Sequence, residues 1–435
     1  NNVAVGYSAG VNVTTGVDNT LIGSLAGDAL TDADYNVAVG ISALSADTLG
    51  SRSVAIGRMA LGNQNFTTAT NAYNTAVGYS AGIQVTTGIN NTIIGGDAGD
   101  ALTTGSYNVA VGFEALSTED GHGNNVAVGN RALKTLNAGA AGLNVAVGDD
   151  AGTALTTGLY NTLVGALAGT ALTDADTNVA FGNAAIRADT LGSKTTAIGY
   201  QALTAQNFTT ATDSHNVAVG YNAGLSVTDG LKNTFIGSLA GDATNTGDFN
   251  TFIGYDTGGS NTGGSNNTIV GSGSQTSTVS SDAAVGLGPN ISCAAGFTTL
   301  GSGGDDIRAA HGTATWNAVS DERYKKDIVD STAGLSFIKA LKPRTFKYKN
   351  LGELPETFRA YEADSTDVFK NSNTNHGFIA QEVKAAIDAD SGIKDGFKLW
   401  DERPDGSQEV GEAALIPILV KAIQELEARV KELEG

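Results

Sequence analysis

Cysteine is nearly missing: Cys293 is the only one in 435 residues, which excludes an internal disulfide and a cysteine-rich metal site. Proline is scarce, with 5 residues against 58 glycines, and a collagen triple helix needs both in a strict three-residue period. Aromatic residues make up only 6%. Positive charge is also short: 25 Lys and Arg face 45 Asp and Glu, a formal net charge of −20. Such a surface repels phosphate backbones and argues against nucleic-acid partners. No apolar run approaches the roughly 20 residues of a membrane-spanning helix, so membrane insertion is not expected. No signal peptide is visible. The first residue, Asn1, falls inside a repeat and the only methionine is Met59, so further chain is expected upstream.

What the chain does have is 41% hydrophobic residues, mainly Ala, Val, Ile and Leu, which argues against disorder. Residues 1–310 hold 49 of the glycines, 8 Lys and Arg, and 23 Asp and Glu. Residues 311–435 hold 9 glycines, 17 Lys and Arg, and 22 Asp and Glu. The break falls near Gly301 to Asp306. We read residues 1–304 as a shaft, 305–319 as a linker and 320–435 as a second domain.

A repeat dominates the shaft. Asn-Val-Ala-Val-Gly or a variant ends in glycine at positions 6, 23, 40, 57, 78 and onward to 271. The usual step is 17, and every fourth step is longer, at 21, 19 and 21. Degenerate copies are expected to end at Gly286 and Gly301, with the step tightened to 15. Ala46 to Ser51 recurs at 188–193 and Asn65 to Thr70 at 207–212, both offset by 142. A 17-residue period is too short for helix-pair repeats, whereas valines alternating with a small residue mark a strand with one buried face. The glycine then permits a turn closed to other residues. The fold class is therefore mainly β, a parallel β-solenoid of some 18 coils rising about 4.8 Å each. Asn at the start of each coil predicts a side-chain amide ladder. The extra residues of the longer coils (Gln64 to Tyr73, Gln206 to His215) read as loop bulges on one edge.

Acidic pairs in the shaft (Glu119/Asp120, Asp149/Asp150, Asp32/Asp34, Asp174/Asp176) read as solvated surface rather than a glycosidase pair, which needs a cleft. His122, His215 and His311 read as surface or loop residues. The calcium-binding glycine-aspartate nonapeptide is absent, so neither a metal nor a cofactor is expected.

The coil motif, closest in Ser53-Val54-Ala55-Ile56-Gly57-Arg58-Met59-Ala60, resembles the β-roll head of trimeric autotransporter adhesins over residues 1–301. That resemblance implies three parallel chains side by side. The coils here are longer than those usual in that family.

Four blocks follow in the second domain: Ser320 to Ile328, Leu341 to Tyr348, His376 to Val383, and Leu415 to Leu426. In this order they resemble the endosialidase-type intramolecular chaperone at the ends of phage tail spikes and fibres. The resemblance implies a trimerising α+β domain that cuts itself off before the serine of its first block. Carried over, Ser320 is the nucleophile, Val319-Ser320 the scissile bond and Lys325 the general base. A lysine serves as base only when burial or nearby cations favour its neutral form. Arg323 and Lys326 are near enough in sequence to help. Asp321 would oppose them unless it pairs with Arg323, and His376 is a second candidate base. The family often carries a tyrosine where Glu412-Ala413-Ala414 stands here. Phe378 to Asp388 reads as an amphipathic helix, and Phe346 and Tyr348 as strand residues. Over 413–435, Ile416, Leu419, Ile423, Leu426, Val430 and Leu433 are spaced 3, 4, 3, 4, 3, a coiled-coil seam.

The expected function is a homotrimeric phage tail fibre, located in the virion and facing a host receptor, either a glycan or a surface protein. Its chaperone would act once, on its own chain, and no turnover enzyme is expected in the shaft. The alternatives are a bacterial trimeric surface adhesin and a tail spike with polysaccharide depolymerase activity.

Overall fold

The computed structural model describes residues 1–313, 316–318, 320–390, 393 and 399–435. The chain divides into two compact units, Asn1–Val319 and Ser320–Gly435, and each is described by itself.

The first unit is a β-solenoid. Three-residue strands such as Val3–Val5, Thr20–Ile22 and Val37–Val39 stack in parallel, each paired in register with its equivalent in the next coil. The register step of 17 holds within the blocks, as at Val3↔Thr20. It widens at Val54↔Thr75, Val126↔Val145 and Thr196↔Val217. Beyond the first coil, the middle residue of these three-residue parallel strands points inward and is buried, as at Ala38, Ala55 and Phe235, all 0% exposed. The flanking residues face out.

Two devices make such a narrow core close. Most coils with a large inward strand residue have glycine six residues later, as in Leu21 with Gly27, Ile93 with Gly99 and Phe235 with Gly241; Ile269 with Gln275 is the exception. A Cβ on Gly241 would lie 2.5 Å from the Phe235 ring. Many coils with alanine in the strand put leucine in that place, as with Ala38 and Leu44 or Ala110 and Leu116, and all four are fully buried. Where both are small, adjacent coils fill the gap: Leu61 and Ile93 crowd Gly82, and Leu133 and Leu163 crowd Gly152. Volume is thus balanced within a coil or between neighbours. The second device is the asparagine ladder, which runs through backbone more than through amide pairs. Asn161 Oδ1 accepts the Asn178 backbone N–H at 3.0 Å, while its Nδ2 donates to the Ala175 carbonyl at 2.7 Å. Equivalent bonds recur at Asn91, Asn233 and Asn250. They satisfy turn carbonyls that the narrow interior would otherwise leave unpaired.

The end of the shaft differs from the sequence reading. Thr268 pairs with Val285 and Ile269 with Gly286, so the repeat glycine of this coil is Gly288, not Gly286. The usual step therefore persists to Val285, and only the last one, Val285↔Thr298, is shorter. Gly286 instead replaces the inward residue, where a Cβ would meet Cys293 Sγ at 2.2 Å. Part of the expected linker is also structured. Asp305–Ala310 pairs antiparallel with Phe297–Ser302, and Asn317–Ala318 pairs antiparallel with Asp305–Ala310. The parallel ladder therefore ends in an antiparallel cap.

The second unit is a small α+β domain. Helix α1 (Leu335–Ala340), helix α2 (Ala380–Ala389) and helix α3 (Ile416–Glu434) surround a core of Phe337, Val383, Ile387, Leu399, Leu415 and Ile418. Strands Arg344–Phe346 and Asn375–Gly377 pair antiparallel, as do Trp400–Glu402 and Gln408–Val410. The segment Glu412–Leu415 is a 3-10 turn leading into α3, and Pro417 sits in the first turn of that helix, where no N–H is needed.

Candidate functional site

Ser320 opens the second unit, followed by a short 3-10 turn at Glu322–Tyr324. Asp321 caps that turn, its carboxylate accepting the Arg323 backbone N–H at 2.9 Å. The same carboxylate takes the Arg323 guanidinium through two further bonds, at 2.9 and 2.5 Å. Arg323 therefore holds the Asp321 carboxyl below the usual carboxylate range, and Asp321 raises the guanidinium in return. The Asp321 charge is thereby neutralised beside the serine.

The turn ends at Lys325, whose side chain reaches back over it. Lys325 Nζ donates to Ser320 Oγ at 2.8 Å, so the two groups stand at the separation a nucleophile and its base require. Both are exposed. Among the described residues, no hydrogen bond or ion pair joins His376 to either of them. His376 is exposed on the strand Asn375–Gly377, opposite Thr345. Val319, the expected partner of the scissile bond, lies outside the described residues.

Helix α3 buries only two of its side chains within the unit, and the seam residues are not among them. Ile418 and Ala422 are buried within the unit, whereas Ile416, Leu419, Ile423, Leu426, Val430 and Leu433 are 42–87% exposed. Inside the unit α3 is tied to α1, where Glu425 accepts the Leu335 N–H at 2.8 Å. Arg344 and Glu382 form a two-bond ion pair at 2.5 and 2.9 Å. Helix α1 and the Trp400–Val410 hairpin carry no strong periodic signal and were invisible in the sequence, although Phe337 and Trp400 hinted at burial.

The shaft also corrects the reading of its acidic pairs. Glu119, read as solvated surface, is 0% exposed. Glu119, Asp120 and His122 bring ligand atoms within 4.8 Å of one another, but Glu119 is already engaged. Its oxygens accept the His122 backbone N–H at 3.1 Å and the Ala138 N–H at 3.2 Å, and lie 3.1 Å from His122 Nδ1.

Residues 320–391 match the family described as chaperone of endosialidase. The second unit therefore carries a chaperone module of that kind, beside a mainly β unit built as a solenoid. No curated protein and no solved structure matches the chain. Among the described residues, no helix is long and apolar enough to cross a membrane.

Proposed function

We propose that this chain is a homotrimeric tail-fibre or tail-spike protein of a phage, exposed on the virion for host attachment. Its second unit trimerises and registers the shafts and then cleaves itself off between Val319 and Ser320. The observation that carries the proposal is the Ser320–Lys325 contact of 2.8 Å, at the first residue of the segment matching the chaperone family.

In the cleavage step, neutral Lys325 takes the hydroxyl proton as Ser320 Oγ attacks the carbonyl carbon of Val319. The C–N bond breaks, the amine of Ser320 receives the proton, and an ester links Val319 to the serine oxygen. Water then hydrolyses that ester, leaving a carboxylate at Val319 and restoring the hydroxyl. Desolvation favours a neutral lysine, and assembly of further copies around these exposed groups supplies it. Cleavage is thereby coupled to trimerisation.

Two unpartnered apolar faces support the homotrimer. One is the α3 seam. The other is the outer face of the parallel ladder, where the outward positions of the strands from Val3–Val5 to Val285–Leu287 are Val, Thr, Ile, Phe or Leu, without one charge in a chain of net charge −20. Ile22, Ile56, Ile94 and Ile236 are 38–39% exposed there. Parallel copies packed on this face would bury it.

The test is the denatured intact mass of the wild type beside Ser320→Ala and Lys325→Ala. A wild-type fragment ending at Val319, with both variants full length, is the expected result. Full-length chains in all three would end the protease assignment and leave the module as a permanent trimerising cap.

A further inference from the structure

Ten residues after the start of most shaft strands, one side chain is buried in the solenoid core. In seven coils it is leucine or valine, at Leu30, Val85, Leu102, Leu136, Leu155, Leu172 and Val227, all 0% exposed. Three coils place an acid there instead: Asp47, Glu119 and Asp189, also 0% exposed. These are the coils that immediately precede the three widened ones.

The acids hold the widening in place. Asp47 Oδ1 accepts the Gly50 N–H in its own coil and the Phe66 N–H in the next, each at 3.0 Å. Its other oxygen takes Gln64 Nε2 at 2.6 Å. Gln64 also bonds Ser53 Oγ at 2.9 Å and accepts from Asn74 Nδ2 at 2.8 Å. Asp189 repeats this with Gly192, Phe208 and Gln206. Glu119 does so through His122 and Ala138. Phe66 and Phe208, the first residues of the enlarged corners after Asn65 and Asn207, are only 5% and 6% exposed. These corners are anchored at Phe66 and Phe208, and they form two-stranded ladders of their own (Gly50–Ser51 with Thr70–Asn71, Gly192–Ser193 with Thr212–Asp213).

The fourth equivalent position supplies the contrast. Asn261 is buried there and accepts the Gly264 N–H at 2.7 Å. It is neutral, its successor one coil later is Thr278 rather than glutamine, and the next coil keeps the usual step. A widened corner accompanies the acid and is missing with the amide.

We propose that Asp47, Glu119 and Asp189 are register marks for the assembled shaft: each builds one widened corner, and the corners recur every four coils beside the sheet face on which copies pack. Each corner runs directly into the first outward residue of the next strand, Thr75, Val145 or Val217. A neighbouring copy slipped by one, two or three coils would set a widened corner against a narrow one. Only slips of four coils, roughly 19 Å, or of eight set a widened corner against a widened corner again. Near-identical coils alone would leave one-coil slips almost degenerate. This inference rests on the homotrimer reading above and names the shaft residues that limit the alternatives the chaperone must exclude.

Two measurements on the full chain test it. Amide hydrogen exchange over residues 206–214 is expected to rise at least tenfold in Asp189→Leu. It should rise also in the double variant Asp189→Asn with Gln206→Thr, which copies the Asn261 and Thr278 arrangement, while residues 65–72 stay protected. Unchanged protection at 206–214 in both would overturn the role of the acids. The second measurement places a spin label at Asn130→Cys; Cys293 is fully buried and stays unlabelled. The seam is disabled by Ile423→Glu and Leu426→Glu, so that the shaft alone sets register. Inter-chain distances should group at the in-register value and at offsets of roughly 19 Å. Cutting all three corners down to coils of the usual length, with leucine for the acids, should smear them into offsets of roughly 5 Å. Equal distributions with and without corners would overturn the marks alone, whereas no inter-chain distance in either would overturn packing on the sheet face as well.

Discussion

At the scale of single residues, the site is a short loop in which Asp321, Arg323 and Lys325 each have a defined neighbour. Asp321 is committed to Arg323 by three bonds, which leaves Lys325 as the cation on Ser320. A parallel case lies at Asp405, whose carboxylate accepts Ser407 Oγ at 2.6 Å, the Ser407 N–H at 2.9 Å and the Arg359 N–H at 3.2 Å. These bonds, the Ser407 hydroxyl first among them, lower its pKa to about 2 from 3.8. A folded value below the unfolded one means that the carboxylate favours the fold above pH 3.8 and that this contribution fades as pH falls towards 2. An NMR titration of the second unit should find the Ser407 amide shift constant down to about pH 3 and moving only below it. A midpoint near 3.8 would show that the turn does not persist in solution. Asp47 behaves oppositely, because burial raises its pKa, and its stabilising bonds to Phe66 and Gln64 work against that desolvation.

At the scale of elements, a coil is a volume constraint. Gly241 adopts a positive φ of +60° and leaves no room for a methyl group beside Phe235. Gly241→Ala is expected to destabilise the shaft by about 1–3 kcal/mol, as overpacking does, read as a lower midpoint in denaturant unfolding. Adding Phe235→Leu should recover part of the loss, since Leu21 and Leu163 occupy that place beside Gly27 and Gly169 in other coils. Absence of any recovery would show that the backbone conformation, rather than the ring, sets the glycine requirement. The stacked repeat glycines are a separate case. A Cβ on Gly40 would lie 2.4 Å from the Gly57 carbonyl oxygen at φ +137°, so close approach of successive coils itself demands glycine there.

At the scale of the whole molecule, the single chain leaves two apolar faces open, the outer sheet face and the α3 seam. Ile423→Glu with Leu426→Glu is expected to weaken the trimer in light scattering without abolishing it, since the sheet face still holds the shafts together, and to leave the shaft's β-signal in circular dichroism intact. A wholly monomeric variant would show that the sheet face does not suffice. Cleavage is expected to fall as the trimer weakens, read as a smaller share of the fragment ending at Val319 in the denatured mass.

The amino-acid sequence by itself determined the solenoid, its step and its inward strand residues. A period of 17 with alternating valine and a stacked glycine admits few other folds, and local repetition writes each coil many times over. It also determined the 3-4 seam of α3, because a heptad is legible in any single helix. Only the tertiary structure decided which glycine closes the next-to-last coil, since Gly286 and Gly288 both fit the local pattern and the partner strand alone distinguishes them. The same holds for Glu119, Asp47 and Asp189. An acid looks like surface in a sequence, and its burial becomes tolerable only once backbone N–H groups from its own coil and the next converge on it. Those donors lie 3 and 19 residues away along the chain, and the fold alone brings them together.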